Sequence, residues 1–313
     1  MAEAYASIVI DAPVEAIWPL VRDFGDLPSW LPGLGSCIIE DGRDADSVGC
    51  VRALTLGRGT EVRERLLMLD DCRYSFAYDF QTPAFPVENY RAEFELIPVT
   101  NGNRTFAQWR ATFDEPPQES GRYVEIISRD VFAAGLKHLA ELVAGRSAPA
   151  GASRWQGLRP AKVFCASVLG AEIEQVWQRL RDFASMDSWH PDLHSMQMLD
   201  GARSDKVSGT REFSIGEDQL HERLTLLCDV THAFRYRILK SANPWLNYHA
   251  GARLRPVTAT GETFAVWTAD WVADPTDDLR LIPLVHDGVF QLAFDTLDRQ
   301  LRSAAAAAGR SAT

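Results

Sequence analysis

Histidine, glutamate and tyrosine side chains in the second half of the chain are the residues best suited to chemistry. His190 and His194 are four residues apart, a spacing that on a helix could present two zinc ligands. Pro191 lies between them, the HExxH motif is absent and no third ligand is evident, so we predict no metal site. Histidine also titrates near neutral pH, which suits proton transfer.

Glu222 and its neighbour His221 would point to opposite faces of a strand, so only one of them can line a pocket. A glutamate in an apolar cavity has a pKa raised by desolvation, as a general acid or base requires. The alternative is a glutamate that pairs with an arginine or holds an ordered water. Tyr236 and Tyr248 could donate to an enolate or phenolate oxygen, or could simply form an amphipathic wall with satisfied hydroxyls.

Motifs for several other chemistries are absent from the sequence. There is no GxSxG nucleophile elbow and no paired catalytic-cysteine signature. There is also no P-loop, and no GxGxxG follows a predicted strand. Because nucleotide and redox motifs are missing, we expect a role without a cofactor.

The chain consists of one unit that occurs twice. Trp18 and Trp177 are 159 residues apart, and this offset holds without a gap from residue 14 to residue 42. Further along, the offset becomes 158, and it relates Glu64 to Glu222 and Tyr90 to Tyr248. The period is far longer than that of a solenoid repeat, so it indicates two copies of a whole domain.

The second copy carries reactive side chains where the first is bland. His190 stands in place of Leu31, and His194 stands in place of Gly35. We interpret the second unit as the working site and the first as supportive. The alternative is that these exchanges are surface drift between the copies.

Each copy predicts the same order of elements: a strand, short helices, several strands and a long closing helix. Runs of strands followed by a helix indicate an α+β fold with an antiparallel sheet. A curved sheet wrapped around a long helix leaves a hollow suited to a ligand. We predict domains at 1–146 and 161–304, a linker at 147–160 rich in Gly, Ala, Ser and Pro, and a flexible tail at 305–313.

Composition and charge exclude several function classes. Lys and Arg number 32 against 43 Asp and Glu, a net charge of −11 that argues against nucleic-acid partners and anionic lipid surfaces. No apolar run approaches the roughly 18 residues of a membrane span, and no signal peptide is evident at the N-terminus. The five cysteines are scattered without CxxC spacing, so we expect reduced thiols and a cytoplasmic protein.

Motifs in both copies resemble the SRPBCC superfamily, which has a helix-grip fold. Three stretches of the first copy carry the resemblance: Ser36-Cys37, Val48 to Arg52, and Glu64-Arg65-Leu66 with Asn89-Tyr90. They are most similar to the bacterial polyketide cyclase/dehydrase branch and to the abscisic acid receptors. The resemblance implies two tandem helix-grip domains, each a curved antiparallel sheet around a long C-terminal helix with a central cavity.

The resemblance also implies which residues face the cavity. The receptor motifs carry over to Glu64 and Tyr90 and to Glu222 and Tyr248, and the position of the receptors' carboxylate-binding lysine falls on His194. The loops that gate the receptor pocket fall near 57–60 and 83–86. The predicted ligand-binding set combines motif residues, pocket-wall tryptophans and apolar helix positions. It comprises Glu64, Tyr90, Trp109, Phe132, Leu136, His190, Tyr236, Trp267, Phe290 and Phe294.

We therefore favour a cofactor-independent cyclase or dehydratase that binds a hydrophobic, oxygenated intermediate of secondary metabolism. Glu222, His194 and Tyr248 would supply proton transfer in a pocket that holds one conformer of the substrate. The alternative is a non-enzymatic carrier or sensor of a small apolar ligand, in which the same residues only orient it. We predict no nucleic-acid partner and no membrane insertion, and we leave a homodimer open.

Overall fold

The computed structural model describes residues 1–144, 146–147 and 161–311. The chain forms two compact units that follow the two copies of the repeat. Each unit contains a seven-stranded antiparallel sheet and a long C-terminal helix, which confirms the predicted tandem helix-grip α+β fold. The predicted linker lies almost wholly outside the described residues, so the domain boundaries stay a prediction.

The sheet of the first unit has the strand order β1-β7-β6-β5-β4-β3-β2, so its first two strands form opposite edges. A helix, α1 (Val14–Val21), connects β1 towards β2. The strands are β1 (Ala2–Ile10), β2 (Leu34–Ile39), β3 (Val51–Leu56), β4 (Glu61–Asp70), β5 (Ser75–Thr82), β6 (Glu88–Val99) and β7 (Arg104–Asp114).

The second unit repeats this order as β8-β14-β13-β12-β11-β10-β9, with α4 (Ile173–Arg181) after its first strand. Alternate residues of β13 are buried, as expected for a strand that packs one face on a core. The strands are β8 (Val163–Leu169), β9 (Leu193–Met198), β10 (Thr210–Ile215), β11 (Asp218–Cys228), β12 (Ala233–Lys240), β13 (Leu246–Val257) and β14 (Glu262–Val272).

Both long helices contain a π-helical segment. In the first unit, α2 (Arg122–Glu125) continues through a π segment (Ile126–Ala133) into α3 (Ala134–Val143). In the second, α5 (Pro275–Pro283) continues through a π segment (Leu284–Gln291) into α6 (Leu292–Ser311). The wider turn rotates the residues that follow relative to a regular α-helix, and such segments are frequent at functional sites.

The last helix covers most of the stretch for which we predicted a flexible tail. Alanine has the highest helix propensity, and the run from Ala304 to Ala308 extends α6 to Ser311. Residues 312–313 lie outside the described part of the chain. The second domain therefore continues as a helix beyond residue 304, and the flexibility of the tail stays a prediction.

Candidate functional site

The first unit has a cavity of about 300 Å³ between the sheet and the long helix. Its wall combines apolar side chains with one buried ion pair and two tyrosines. The π segment contributes Ile127, Asp130 and Val131. The rest of the wall comprises Leu27, Leu31, Pro32, Gly33, Leu34, Arg52, Leu54, Leu56, Val62, Glu64, Tyr78, Phe80, Ala84, Phe85, Tyr90, Trp109, Ala134 and Gly135.

The second unit has a smaller cavity of about 180 Å³ in the same place. Its π segment contributes Leu284, Val285 and Val289. The rest of the wall comprises Met186, Leu193, Arg211, Phe213, Ile215, Asp218, Leu220, Glu222, Tyr236, Ile238, Asn243, Trp245 and Tyr248. Both cavities therefore present a small number of polar groups in an apolar wall, as ligand pockets do.

A buried arginine–glutamate pair lies in the wall of each cavity. In the second unit, Arg211 donates from Nε to Oε2 of Glu222 at 2.8 Å and from Nη2 to the same oxygen at 2.5 Å. Its Nη1 donates to the carbonyl of Phe183 at 2.7 Å, and the guanidinium lies 3.9 Å from the centre of that ring. Both partners are nearly inaccessible, so the arginine is held by hydrogen bonds and by ring contact.

The first unit reproduces this arrangement. Nε of Arg52 donates to Oε2 of Glu64 at 2.6 Å, and Nη1 donates to the carbonyl of Phe24 at 3.0 Å. The guanidinium lies 3.8 Å from the centre of the Phe24 ring. Glu64 and Glu222 line the two cavities, and each is also paired with an arginine. The structure thus shows the features of both interpretations that the sequence allows.

Burial raises the pKa of both glutamates. The loss of hydration disfavours the charged carboxylate and is the largest influence on Glu64 and Glu222, while the positive charge of Arg52 or Arg211 acts in the opposite direction. The net pKa of each carboxyl lies above its usual value. A carboxyl of this kind is suited to exchange protons nearer neutral pH than an exposed one.

Two tyrosines stand beside each glutamate. Tyr236 and Tyr248 line the second cavity, with ring centroids 6.5 Å apart, and Tyr78 and Tyr90 line the first, 6.2 Å apart. Burial, together with the nearby carboxylate, raises the pKa of Tyr248. The hydroxyl therefore stays protonated at neutral pH and is available as a hydrogen-bond donor to an oxygen in the cavity.

The structure brings some of the predicted residues to the cavities and places others in the core. Those that line a cavity are Glu64, Tyr90, Trp109, Glu222, Tyr236 and Tyr248. Those buried without lining one are Phe132, Leu136, His190, Trp267, Phe290 and Phe294. Phe132 stacks on Trp109, and Phe290 stacks on Trp267, with centroids 4.6 Å apart in each pair. These helix positions thus pack against the sheet.

Of the two histidines predicted near the second cavity, one is exposed and the other is buried. His194 lies on the exposed face of β9, because its neighbour Leu193 is the inward residue of that strand. We therefore do not retain His194 as a proton-transfer residue. His190 is buried, and its Nδ1 accepts from the Asp192 backbone N–H at 3.2 Å, so Nε2 donates to the Val289 carbonyl at 3.2 Å. His190 thus connects a loop to the π segment.

The arginines of the ion pairs were not predicted as site residues. In the sequence, Arg52 is part of a family motif, and no motif marks Arg211. An inward-facing position is visible from the alternation along β3 and β10, where Arg52 and Arg211 are buried like the apolar residues two positions on. Their carboxylate partners, however, are set by strand register, which a single sequence does not state.

A polar cluster holds the β12–β13 loop over the second cavity. Asp218 accepts hydrogen bonds from Ser241 Oγ at 2.7 Å, from the Ala242 backbone N–H at 2.8 Å and from Asn243 Nδ2 at 3.2 Å. Arg280 on α5 donates to Asn243 Oδ1 at 3.1 Å. Because Asp218 and Asn243 also line the cavity, this cluster fixes one end of its wall.

The corresponding loop of the first unit is apolar. Thr60 and Phe85 occupy the places of Asp218 and Asn243. Phe85 packs against Tyr123, with ring centroids 6.0 Å apart. The two loops are therefore held by different forces, hydrogen bonds in the second unit and aromatic packing in the first.

Within residues 1–144, 146–147 and 161–311, no group of three or more His, Cys, Asp and Glu side chains could hold a metal ion.

The family of this chain follows from its match to a family model. The family model described as polyketide cyclase/dehydrase and lipid transport matches residues 1–144 and again residues 165–302. The chain belongs to this family. The two matches coincide with the two copies of the repeat, which confirms the prediction of a tandem protein of the polyketide cyclase/dehydrase branch.

Some of the solved structures similar to this chain match about half of it, and another matches nearly all of it. Protein XoxI from Bacillus cereus is 29% identical, with 45% of this chain and 95% of that chain covered and a TM-score of 0.41. A protein from Thermobifida fusca is 29% identical, with 51% and 98% covered and a TM-score of 0.41. The di-domain ARO/CYC BexL from the BE-7585A biosynthetic pathway is 13% identical, with 96% and 98% covered and a TM-score of 0.39.

No helix in the described part of this family member is long and apolar enough to cross a membrane. The cytoplasmic location, the absence of nucleic-acid partners and the oligomeric state stay predictions.

Proposed function

We propose that this chain is a cofactor-independent cyclase or dehydratase that acts on a hydrophobic, oxygenated polyketide-type intermediate in its second cavity. The observation that supports this function is the buried Arg211–Glu222 pair, which lies in an apolar wall beside the Tyr236 and Tyr248 hydroxyls. Proton transfer and stabilisation of a developing oxyanion need these groups at one place.

Glu222 is the proposed proton-transfer group. Of the two carboxylate oxygens of Glu222, only Oε2 accepts hydrogen bonds from Arg211, and Oε1 accepts none from the described residues. The carboxylate takes a proton from a carbon between two carbonyls, and the resulting enolate carbon attacks another carbonyl carbon of the same molecule to form a C–C bond. The alkoxide is protonated by the carboxyl. Loss of this hydroxyl with a neighbouring C–H proton then releases water.

Tyr248 is the proposed donor to the oxygen on which negative charge develops. Its raised pKa keeps the hydroxyl protonated at neutral pH, so it stabilises the enolate without ionising. The apolar wall excludes water and selects a folded conformer of the substrate, which lowers the entropic cost of ring closure. His194 has no part in this step because it lies on the exposed face of β9.

A carrier or sensor of a small apolar ligand is the second candidate. It is favoured by the ion pair itself, because Glu222 and the Phe183 carbonyl together satisfy donors of Arg211 within the protein. In that case the pair is a structural element of the wall and the cavity only binds. Turnover therefore separates the two candidates.

The test uses the full chain and a linear aromatic triketone, whose ring closure is followed by mass spectrometry as the loss of one water against a protein-free control. We expect acceleration by the native protein and a decrease in kcat of about 10- to 100-fold in Tyr248→Phe, with unchanged thermal unfolding. Glu222→Gln is expected to abolish the acceleration. The matched variant Tyr90→Phe, in the first unit, is expected to retain it.

Binding of the triketone without acceleration would exclude the enzyme and favour the carrier. Equal losses in Tyr90→Phe and Tyr248→Phe would instead mean that both cavities work. Since Glu222→Gln also breaks a buried ion pair, Tyr248→Phe is the variant that decides the question if the glutamine variant does not fold.

A further inference from the structure

Trp245 forms an aromatic wall of the second cavity together with Tyr248. It lies at the end of the β12–β13 loop, and its ring centroid is 4.9 Å from that of Tyr248 and 5.9 Å from that of Trp271. Tyr248 and Trp271 stack with an interplanar angle of 7°. A flat ring in the cavity would therefore meet aromatic faces that are already held in place.

The indole N–H of Trp245 is buried and donates no hydrogen bond to any described residue. Buried donors in native proteins are almost always paired, and an unpaired one costs about 1–3 kcal/mol. The indole N–H groups of Trp30 and Trp189 are also buried and unpaired, but those side chains line neither cavity. Trp245 differs from these tryptophans because its side chain lines a cavity.

The first unit has no counterpart to this donor. Val87 occupies the place of Trp245, and the indole of Trp109, which does line the first cavity, donates to Tyr78 Oη at 3.2 Å. The exchange of valine for tryptophan also accompanies a decrease in cavity volume from about 300 to about 180 Å³. The two cavities therefore differ in size and in the donors they offer.

We propose that Trp245 is a specificity-determining residue of the second cavity. Its N–H donates to a ketone or phenol oxygen of a compact aromatic ligand, and its ring packs against the face of that ligand. The proposal rests on the proposed function for the location of the site, and it names the substrate class more closely: an aromatic ring with an oxygen acceptor, small enough for the narrower cavity.

The test compares 1-tetralone with tetralin, two bicyclic compounds that share a ring system and differ at the ketone oxygen. Binding to the full chain is measured by calorimetry and by the indole N–H resonances of the ¹⁵N-labelled protein. We expect tighter binding of the ketone, with a downfield shift of the resonance that disappears in Trp245→Phe. That variant should lower the ketone affinity by about threefold to tenfold, the effect of one neutral hydrogen bond, and leave the tetralin affinity nearly unchanged.

Trp189→Phe is the matched control, because its indole N–H is also buried and unpaired but does not line a cavity. It should keep the full preference for the ketone. Equal loss of both compounds in Trp245→Phe, an unchanged preference, or no binding of either compound to the native protein would overturn the proposal. This experiment measures binding and is therefore independent of the triketone assay. If 1-tetralone binds through Trp245 but the triketone is not turned over, the proposed enzyme is refuted and this inference stands.

Discussion

Arg211 and Glu222 are direct cross-strand partners in the β10–β11 ladder, and the same register joins Arg52 to Glu64 between β3 and β4. Partners on one face of neighbouring strands are about 5 Å apart at Cβ, so the ladder itself brings each guanidinium onto its carboxylate. The buried ion pair is thus a property of the sheet. A ligand in the cavity finds it already assembled.

Removing one charge of either pair should be strongly destabilising. Glu222→Gln leaves the Arg211 charge buried without a counter-ion, and we expect a loss of about 3–5 kcal/mol in the free energy of unfolding by urea. The matched variant Glu64→Gln should behave alike in the first unit. The double variant Arg211→Met with Glu222→Leu should recover most of the loss, and a double variant no more stable than Glu222→Gln would contradict this account.

Burial of His190 should make the second unit sensitive to acid. Desolvation lowers the pKa of this imidazole below its ordinary value of 6.5, so the unfolded chain binds a proton more readily than the folded one. The stability that comes from neutral His190 is present above pH 6.5 and is lost as the pH falls through the lowered pKa.

The matched variant His190→Leu carries the residue found at position 31 and should lack this dependence. Thermal unfolding at about pH 7.5 and about pH 5.5 checks it, because the native protein should lose stability relative to His190→Leu at the lower pH. His194→Ala, at an exposed position, should follow the native protein. Parallel curves for the native protein and His190→Leu would show that the histidine is not the cause.

Loss of the Asp218 carboxylate should release the β12–β13 loop. Asp218→Ala removes the acceptor of three hydrogen bonds, each worth about 0.5–1.5 kcal/mol, so residues 241–245 should exchange amide hydrogen faster. Exchange mass spectrometry measures this directly. The control variant Thr60→Ala should leave amide exchange in residues 83–87 unchanged. If Asp218→Ala also left amide exchange in residues 241–245 unchanged, the Asp218 carboxylate would not be what holds the loop.

Gly135→Ala should bring no net gain in stability, although alanine is the better helix residue. A Cβ there would lie 2.5 Å from Leu31 Cδ1 and 3.3 Å from Trp109 Cζ3. Leu31 is flexible and partly exposed and can turn aside, so we expect overpacking at the low end of about 1–3 kcal/mol, which offsets the helix gain of about 0.5–1 kcal/mol. Adding Leu31→Ala should relieve the clash, giving a favourable coupling of about 1 kcal/mol in urea unfolding. Strictly additive effects would rule the clash out.

The fold was predictable because its signals are periodic and repeated. The register between Trp18 and Trp177 revealed two copies, and alternating strands before a closing helix indicated the class. The positions of that helix that face the cavity were harder to predict from the sequence. The helix face with Phe132 and Leu136 packs against the sheet, whereas a neighbouring face with Ile127, Asp130 and Val131 lines the first cavity.

The site was predictable where a family motif marked it, as at Glu222 and Tyr248. The motif implied that both face the cavity, and the structure places both in its wall. His194 was suggested by its chemistry, and strand alternation beside Leu193 turns it outward. The role proposed for Trp245 depends on an indole N–H without a partner among the described residues, which is a property of three-dimensional packing that no residue pattern reports.

The Arg–Glu ladder contact occurs in both copies, and this indicates which features of the molecule arose before the duplication. A feature that both copies share in the same register was present in the single-domain ancestor before the gene segment doubled, and this applies to Arg52–Glu64 with Arg211–Glu222 and to the π segments. The exchange of Val87 for Trp245 separates the copies and therefore followed the doubling. Trp245→Val would thus make the two copies alike at this position while leaving the inherited pair untouched.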